Sequence, residues 1–377
     1  LFHQTNKVMH IHLIASLIAF HCLVSCRQDM GLTPTMAANA TCQSIAVEQP
    51  FPETTLPQST NMVLQSVDGG QSWQDVSTGL PREVQPILVF VNDGEVFLGT
   101  QNGLYSSPIT CAAPNWQQVP FLNGRILGVS PGRYGLYVCS YGLGIFQNLG
   151  GTGVWKNINK TMKDNTVRCV LETPDGAILA GSDSGIFKSA DGGQTWKQVF
   201  AEGMVLNLVE SGGVLIGGGA RGVLRSTDGG AHWDVVLNEN ILAKNTTHIK
   251  DQFVTILGTT DPNKDRFGSM DSTKGRPQGI TNRLRASADG GQTWQRMDQA
   301  LLPLPGVYGM DESLSQAKDI YDIVQAGELL FCTFDTGVFR SSDQGKSWTR
   351  VLPNTGNKML HLAASGQTIF LVLFDGC

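Results

Sequence analysis

Beyond residue 60 the chain is written in short apolar runs, each stopped within a few residues by Gly, Asp or Pro. Residues 166–200 show the unit plainly. Val167, Cys169 and Leu171 make a short apolar run that ends at Pro174-Asp175-Gly176, a turn signal. Residues 177–181 form a second run, closed by Ser182-Asp183-Ser184-Gly185. Residues 186–189 run into Asp191-Gly192-Gly193, and residues 197–200 follow Trp196 as a fourth run. Four short strands joined by tight turns predict an antiparallel meander, and no stretch of the repeats carries a convincing helical period.

The meander recurs about every forty residues, which marks a repeat architecture. Its signature is the phrase Ser-x-Asp-x-Gly-x-(Thr/Ser/His)-Trp, closed by Trp73, Trp196, Trp233, Trp294 and Trp348. Trp116 and Trp155 end segments with the same flanks and a worn middle. Asp and Gly-Gly favour a turn with positive φ, and the Ser and Asp side chains can bond nearby amides. Asp68, Asp191, Asp228, Asp289 and Asp343 are therefore read as structural, each tryptophan packing on the neighbouring sheet. A four-stranded sheet repeated around a ring is a β-propeller. The first phrase lacks two inner strands, whereas the chain after Trp348 supplies two surplus runs, residues 359–363 and 368–374. The expected fold is all-β: a seven-bladed β-propeller of four-stranded antiparallel blades, closed by a two-plus-two strand seam between the N- and C-terminal segments. Closure removes the open sheet edges.

Residues 1–26 differ in kind. An apolar stretch over 11–24 follows Lys7, is too short to span a bilayer comfortably, and ends Leu23-Val24-Ser25-Cys26. This is signal-peptide grammar, and its last four residues resemble a bacterial lipobox, with Cys26 the expected lipidation site; Leu1 and Met9 are both possible starts. Residues 27–59, rich in Pro, Thr, Ser, Gln and Ala, read as a flexible tether, and 60–377 as the propeller. Localisation in a bacterial cell envelope by a lipid anchor follows, with the membrane touched through that anchor only. A formal charge of −5 argues against a nucleic-acid partner. Cys139, Cys169 and Cys332 lie in strand runs as small buried hydrophobes, while Cys42, Cys111 and Cys377 could supply a disulfide. No Cys or His spacing supports zinc, and no cofactor is expected.

In a propeller the loops joining second to third strand, and fourth strand to next blade, gather at one end of the channel. The first class contributes Gln101, Asn102, Tyr141, Asp183, Arg221, Asp335 and Asp375; the second Arg82, Glu83, Arg125, Asp164, Arg168 and Glu202. This mixed, hydrogen-bonding face suits a protein or glycan ligand. Two insertions should rise from it. One, over residues 259–271, carries Asp261, Asn263, Asp265 and Asp271, with the oxygen-rich spacing of a calcium loop. Arg266 stands where that loop needs Gly, and no Glu follows at the bidentate position, so calcium is a weak candidate there. The other, 298–319, carries Tyr308.

The phrase resembles the bacterial neuraminidase repeat, or Asp box, of sialidases, xyloglucan-cleaving hydrolases, sortilin ectodomains and the photosystem II assembly factors. The resemblance covers residues 60–377, and the fuller unit 181–196 is nearest to the assembly-factor and xyloglucanase types. It implies fold more than activity. A sialidase would bring Phe-Arg-Ile-Pro before the first box and three arginines for the substrate carboxylate. Here that phrase is absent and no arginine lies between Arg27 and Arg82. Xyloglucanases need two such propellers, and one is present. A glycosidase needs two carboxylates flanking the bond, for which Asp183, Asp335 and Asp375 are the candidates. The sequence therefore favours a monomeric cell-envelope binding or assembly module over its alternative, a sialidase-like glycoside hydrolase.

Overall fold

A computed structural model describes residues 62–109, 114–150, 153–238, 241–259, 283–297, 320–354 and 358–374. They form seven sheets of four antiparallel strands, and no helix. We number the blades by their tryptophans and letter the strands a to d outward from the axis. Six blades are continuous in sequence, in the order a-b-c-d. Blade 1 is the exception. Its strands a and b are Met359–Ser365 and Thr368–Phe374, and its c and d are Met62–Ser66 and Gln74–Asp75. The seam registers Val63 with Val372, Leu64 with Leu371 and Gln65 with Phe370. The expected two-plus-two closure is present.

The innermost strands are Met359–Ser365, Pro86–Asn92, Ile126–Gly132, Val167–Glu172, Val205–Ser211, Ile241–Ile249 and Ile320–Ala326, for blades 1 to 7. The b strands read as buried throughout, as Ile178–Ser182 does, because both faces are covered by neighbouring blades. Apolar side chains meet between blades. Tyr137, Cys139 and Ile145 of blade 3 pack on Val167, Ile178 and Phe187 of blade 4, with Trp196 against them. Seven such clusters form, and each holds one of the seven tryptophans. The worn copies keep this role: Trp116 is buried and its Nε1 donates to the Val76 carbonyl at 2.8 Å.

The turn phrase works as a small hydrogen-bonded machine. Ser189 Oγ donates to Asp191 Oδ1 at 2.8 Å and accepts the Gly193 amide at 2.9 Å. Asp191 then accepts the Thr195 amide at 2.8 Å and its hydroxyl at 2.6 Å. The Thr195 hydroxyl, its amide and Ser189 together hold the Asp191 carboxyl down at about 2. Asp343 is likewise held at about 2, chiefly by Ser347, and Asp228 and Asp289 lie below the usual carboxylate range for the same reason. Asp68 is lowered too: burial pushes it up, but Ser72, Ser66 and Gln71 outweigh that. Each of these carboxylates is consumed by its own turn.

Candidate functional site

Because neighbouring strands run antiparallel, the b–c turns and the d–a connections leave each blade at the same end. One backbone bond pins them together repeatedly. Gln101 N–H bonds the Gln85 carbonyl, Tyr141 that of Arg125, Asp183 that of Thr166, and Ala220 that of Met204. This end of the ring is the channel mouth; its b–c turns carry Asn102, Tyr141, Asp183, Arg221 and Asp335, and its d–a connections carry Arg82 and Arg125.

Two of these residues, Tyr141 and Asp183, meet Arg168 across blades 3 and 4. Arg168 Nε pairs with Asp183 Oδ1, and Tyr141 Oη donates to Asp183 Oδ2 at 3.2 Å. The Arg168 guanidinium lies over the Tyr141 ring, 5.6 Å from its centre. Beside them Asp164 accepts the Ser184 hydroxyl at 2.6 Å and the Thr166 amide at 2.8 Å. Burial pushes the Asp164 carboxyl up, yet these bonds bring it down to about 2. On blade 5 the Arg221 guanidinium lies 3.4 Å from Glu202, and both are more than half exposed. Asn102 serves its own turn, its amide bonding Thr100 Oγ1 at 3.1 Å. Asp183 and Asp335 stand three blades apart, on blades 4 and 7. Asp375, Tyr308, the calcium candidates Asp261, Asn263 and Asp265, the lipidation candidate Cys26, and Cys42, Cys111 and Cys377 lie outside the described residues. Among the described residues no group of three His, Cys, Asp or Glu is placed to hold a metal.

The mouth also carries an apolar rim that composition concealed. Phe121, Tyr141 and Leu143 are exposed, Phe121 by 84%. Leu143 crowds Gly124, three residues along from Phe121. Phe121 has φ 67°, a left-handed backbone that a bulky residue adopts only under strain.

Below the mouth the seven innermost strands surround a channel cavity of about 310 Å³. Six of them bulge at one level, where an extra residue breaks the register with strand b. At five bulges the extra residue lines the channel: Leu127, Arg168, Leu206, Lys244 and Tyr321. Bulges bend a strand and re-aim side chains in this way. The residues just past the bulge are Leu88, Gly128, Cys169, Asn207, Asn245 and Asp322 for blades 2 to 7. His361 is their counterpart in blade 1, since Ser341 pairs with Leu330 as Ser66 does with Ile369. Four successive blades thus present Asn, Asn, Asp and His.

Asp322 ties that arc together. It is 2% exposed, and it accepts Asn245 Nδ2 at 2.8 Å and the Ile323 and Leu362 amides at 2.9 Å each. His361 Nδ1 lies 3.5 Å from its Oδ2 without bonding it. Burial pushes the Asp322 carboxyl up, against the pull of His361 and the donated bonds. One side chain therefore bridges blades 6, 7 and 1. The signal for it was present in the repeat: Asn207 and Asp322 stand at the same distance ahead of Ser226 and Ser341.

The fold recurs in solved structures. The chain is similar to YCF48 bound to D1 peptide (12% identity, TM-score 0.55, covering 85% of this chain and 97% of that one). It is also similar to a catalytically inactive virginiamycin B lyase from Staphylococcus aureus with quinupristin (13%, TM-score 0.55, 83% and 99%). A GH74 xyloglucanase from Xanthomonas campestris matches at 12% identity and TM-score 0.53, over 75% of this chain and 50% of its own. All three likenesses are of fold. No family model matches the sequence, and no curated protein does.

Proposed function

We propose that this protein is a binding or assembly module of the bacterial cell envelope, an Asp-box propeller held to the membrane by a lipid on Cys26. Its ligand is a protein segment or glycan seated over the channel mouth. The observation that carries this reading is the exposed rim of Phe121, Tyr141 and Leu143 beside the Arg168–Asp183 pair. Exposed apolar groups bordered by charge are how interaction surfaces differ from ordinary surface. A fold neighbour that holds a peptide lends support.

A photo-crosslinking amino acid placed at Tyr141 and, separately, at Tyr134 on the opposite end of blade 3 tests the surface. Adducts with one defined partner should form from position 141 and disappear in Arg221→Glu, while position 134 stays silent. Equal labelling from both positions would remove the mouth as the site. Turnover of an aryl glycoside that is lost in Asp335→Ala would establish the hydrolase instead. Incorporation of labelled fatty acid should vanish in Cys26→Ala, and its persistence would refute the anchor.

A further inference from the structure

The channel below the mouth has its own chemistry and shares only Arg168 with the mouth site proposed above. Of the fourteen described residues lining it, Arg168, Lys244 and His361 are basic and none is acidic. Asp322, at this level, is withdrawn into the wall with both oxygens bonded, and Asp183 meets the cavity only through its pair with Arg168. Lys244 is exposed, and among the described residues no hydrogen bond or ion pair engages its ammonium. It is fixed by its bulge, where the Lys244 carbonyl accepts Asn207 Nδ2 at 3.1 Å. Arg168, two blades away, is aimed by Asp183 through Nε alone among its bonds to carboxylates.

The opposite arc is apolar: Leu88, Val89 and Phe90 of blade 2 with Leu127 and Val129 of blade 3. The cavity therefore divides into a cationic side and an oily side. Its volume falls at the small end of the range for small-molecule sites, about 300 to 1,000 Å³. An ammonium in a confined, partly dry channel attracts an anion more strongly than one in open water. Cys169, the other reactive group present, is driven by burial up to about 12 and stays an inert thiol.

We infer that the channel throat binds one small carboxylic acid with an apolar body. The carboxylate rests on Lys244 and Arg168, and the body lies against Leu88, Phe90 and Leu127. Mouth residues such as Arg221 take no part.

Calorimetric titration of the full chain with octanoate and 3-phenylpropanoate, against their primary amides, tests this. The acids should bind and the amides should bind at least about tenfold more weakly, the value of a charge-assisted bond. Lys244→Met should weaken the acids by a similar factor with unchanged thermal unfolding. Leu127→Asn should cost octanoate more than butanoate. Arg221→Ala should leave all affinities as they are, so that failure here and failure of the mouth reading remain distinguishable. Acids and amides binding alike, no acid binding at millimolar concentration, or full affinity in Lys244→Met would each overturn the inference.

Discussion

Ser189 shows how much one hydroxyl can hold. Its oxygen serves the buried Gly193 amide and the Asp191 carboxylate together, so Ser189→Ala strands a buried donor. The expected loss is about 1 to 3 kcal/mol, read from urea unfolding, and an unchanged midpoint would contradict it. The box aspartates also fix a pH dependence. Asp191 and Asp343 sit at about 2 when folded, below the usual 3.8. A depressed folded value means stability that is present above pH 4 and lost as the pH falls towards 2. Asp322, raised by burial, runs the other way, but it is one group against five. Thermal unfolding temperature should therefore fall steadily below pH 4. Phe121 combines high exposure with a left-handed backbone. Phe121→Gly should stabilise the fold by about 1 kcal/mol while weakening the mouth ligand, which separates its functional from its structural value.

At the scale of the strand, the turn into strand c is the least forgiving element. At Gly185, φ is +134° and a Cβ would meet the Phe200 carbonyl oxygen at 1.9 Å. Gly222 and Gly337 face the same obstruction from Leu237 and Leu352. Gly185→Ala should destabilise by more than about 1 kcal/mol, measured by the same unfolding assay. The strands and turns were legible in the sequence because short apolar runs and their Gly, Asp and Pro punctuation are local signals. The Ser-Asp-Gly phrase likewise announced its own hydrogen bonds. What was hidden is the bulge. One inserted residue leaves the hydrophobic pattern nearly intact, yet it sends Arg168 and Lys244 into the channel. Asp322 is missed by local patterning, since a single acid in the run Ile320–Ala326 reads as a solvated strand position until the ring buries it; only its alignment with Asn207 in the repeat marks it.

At the scale of the molecule, seven wedge-like interfaces and a seam make one closed object. The seven tryptophans counted the blades, and the two missing strands at one end with two surplus at the other located the seam. The mouth was legible only as a set of loops, because which residues meet depends on the angle between blades. Tyr141, Arg168 and Asp183 come together across one such interface, whereas Asp183 and Asp335 are carried to distant blades. The channel chemistry is a property of the ring alone and appears in no single repeat. Its structural keystone is blade 1, where Phe370 is fully buried at the seam. Phe370→Ala should cost about 3 to 5 kcal/mol, as for any large core aromatic.

Native-state hydrogen exchange followed by mass spectrometry addresses closure most directly. Residues 63–66 and 369–373 pair strand to strand although they lie near opposite ends of the chain. If the ring is closed, their amides should be protected to the same degree as those of Ile178–Ser182 and should exchange together, only when the whole propeller opens. Rapid exchange over 63–66 beside a protected 369–373 would show the seam unpaired, and the seven-bladed ring with its channel would fall.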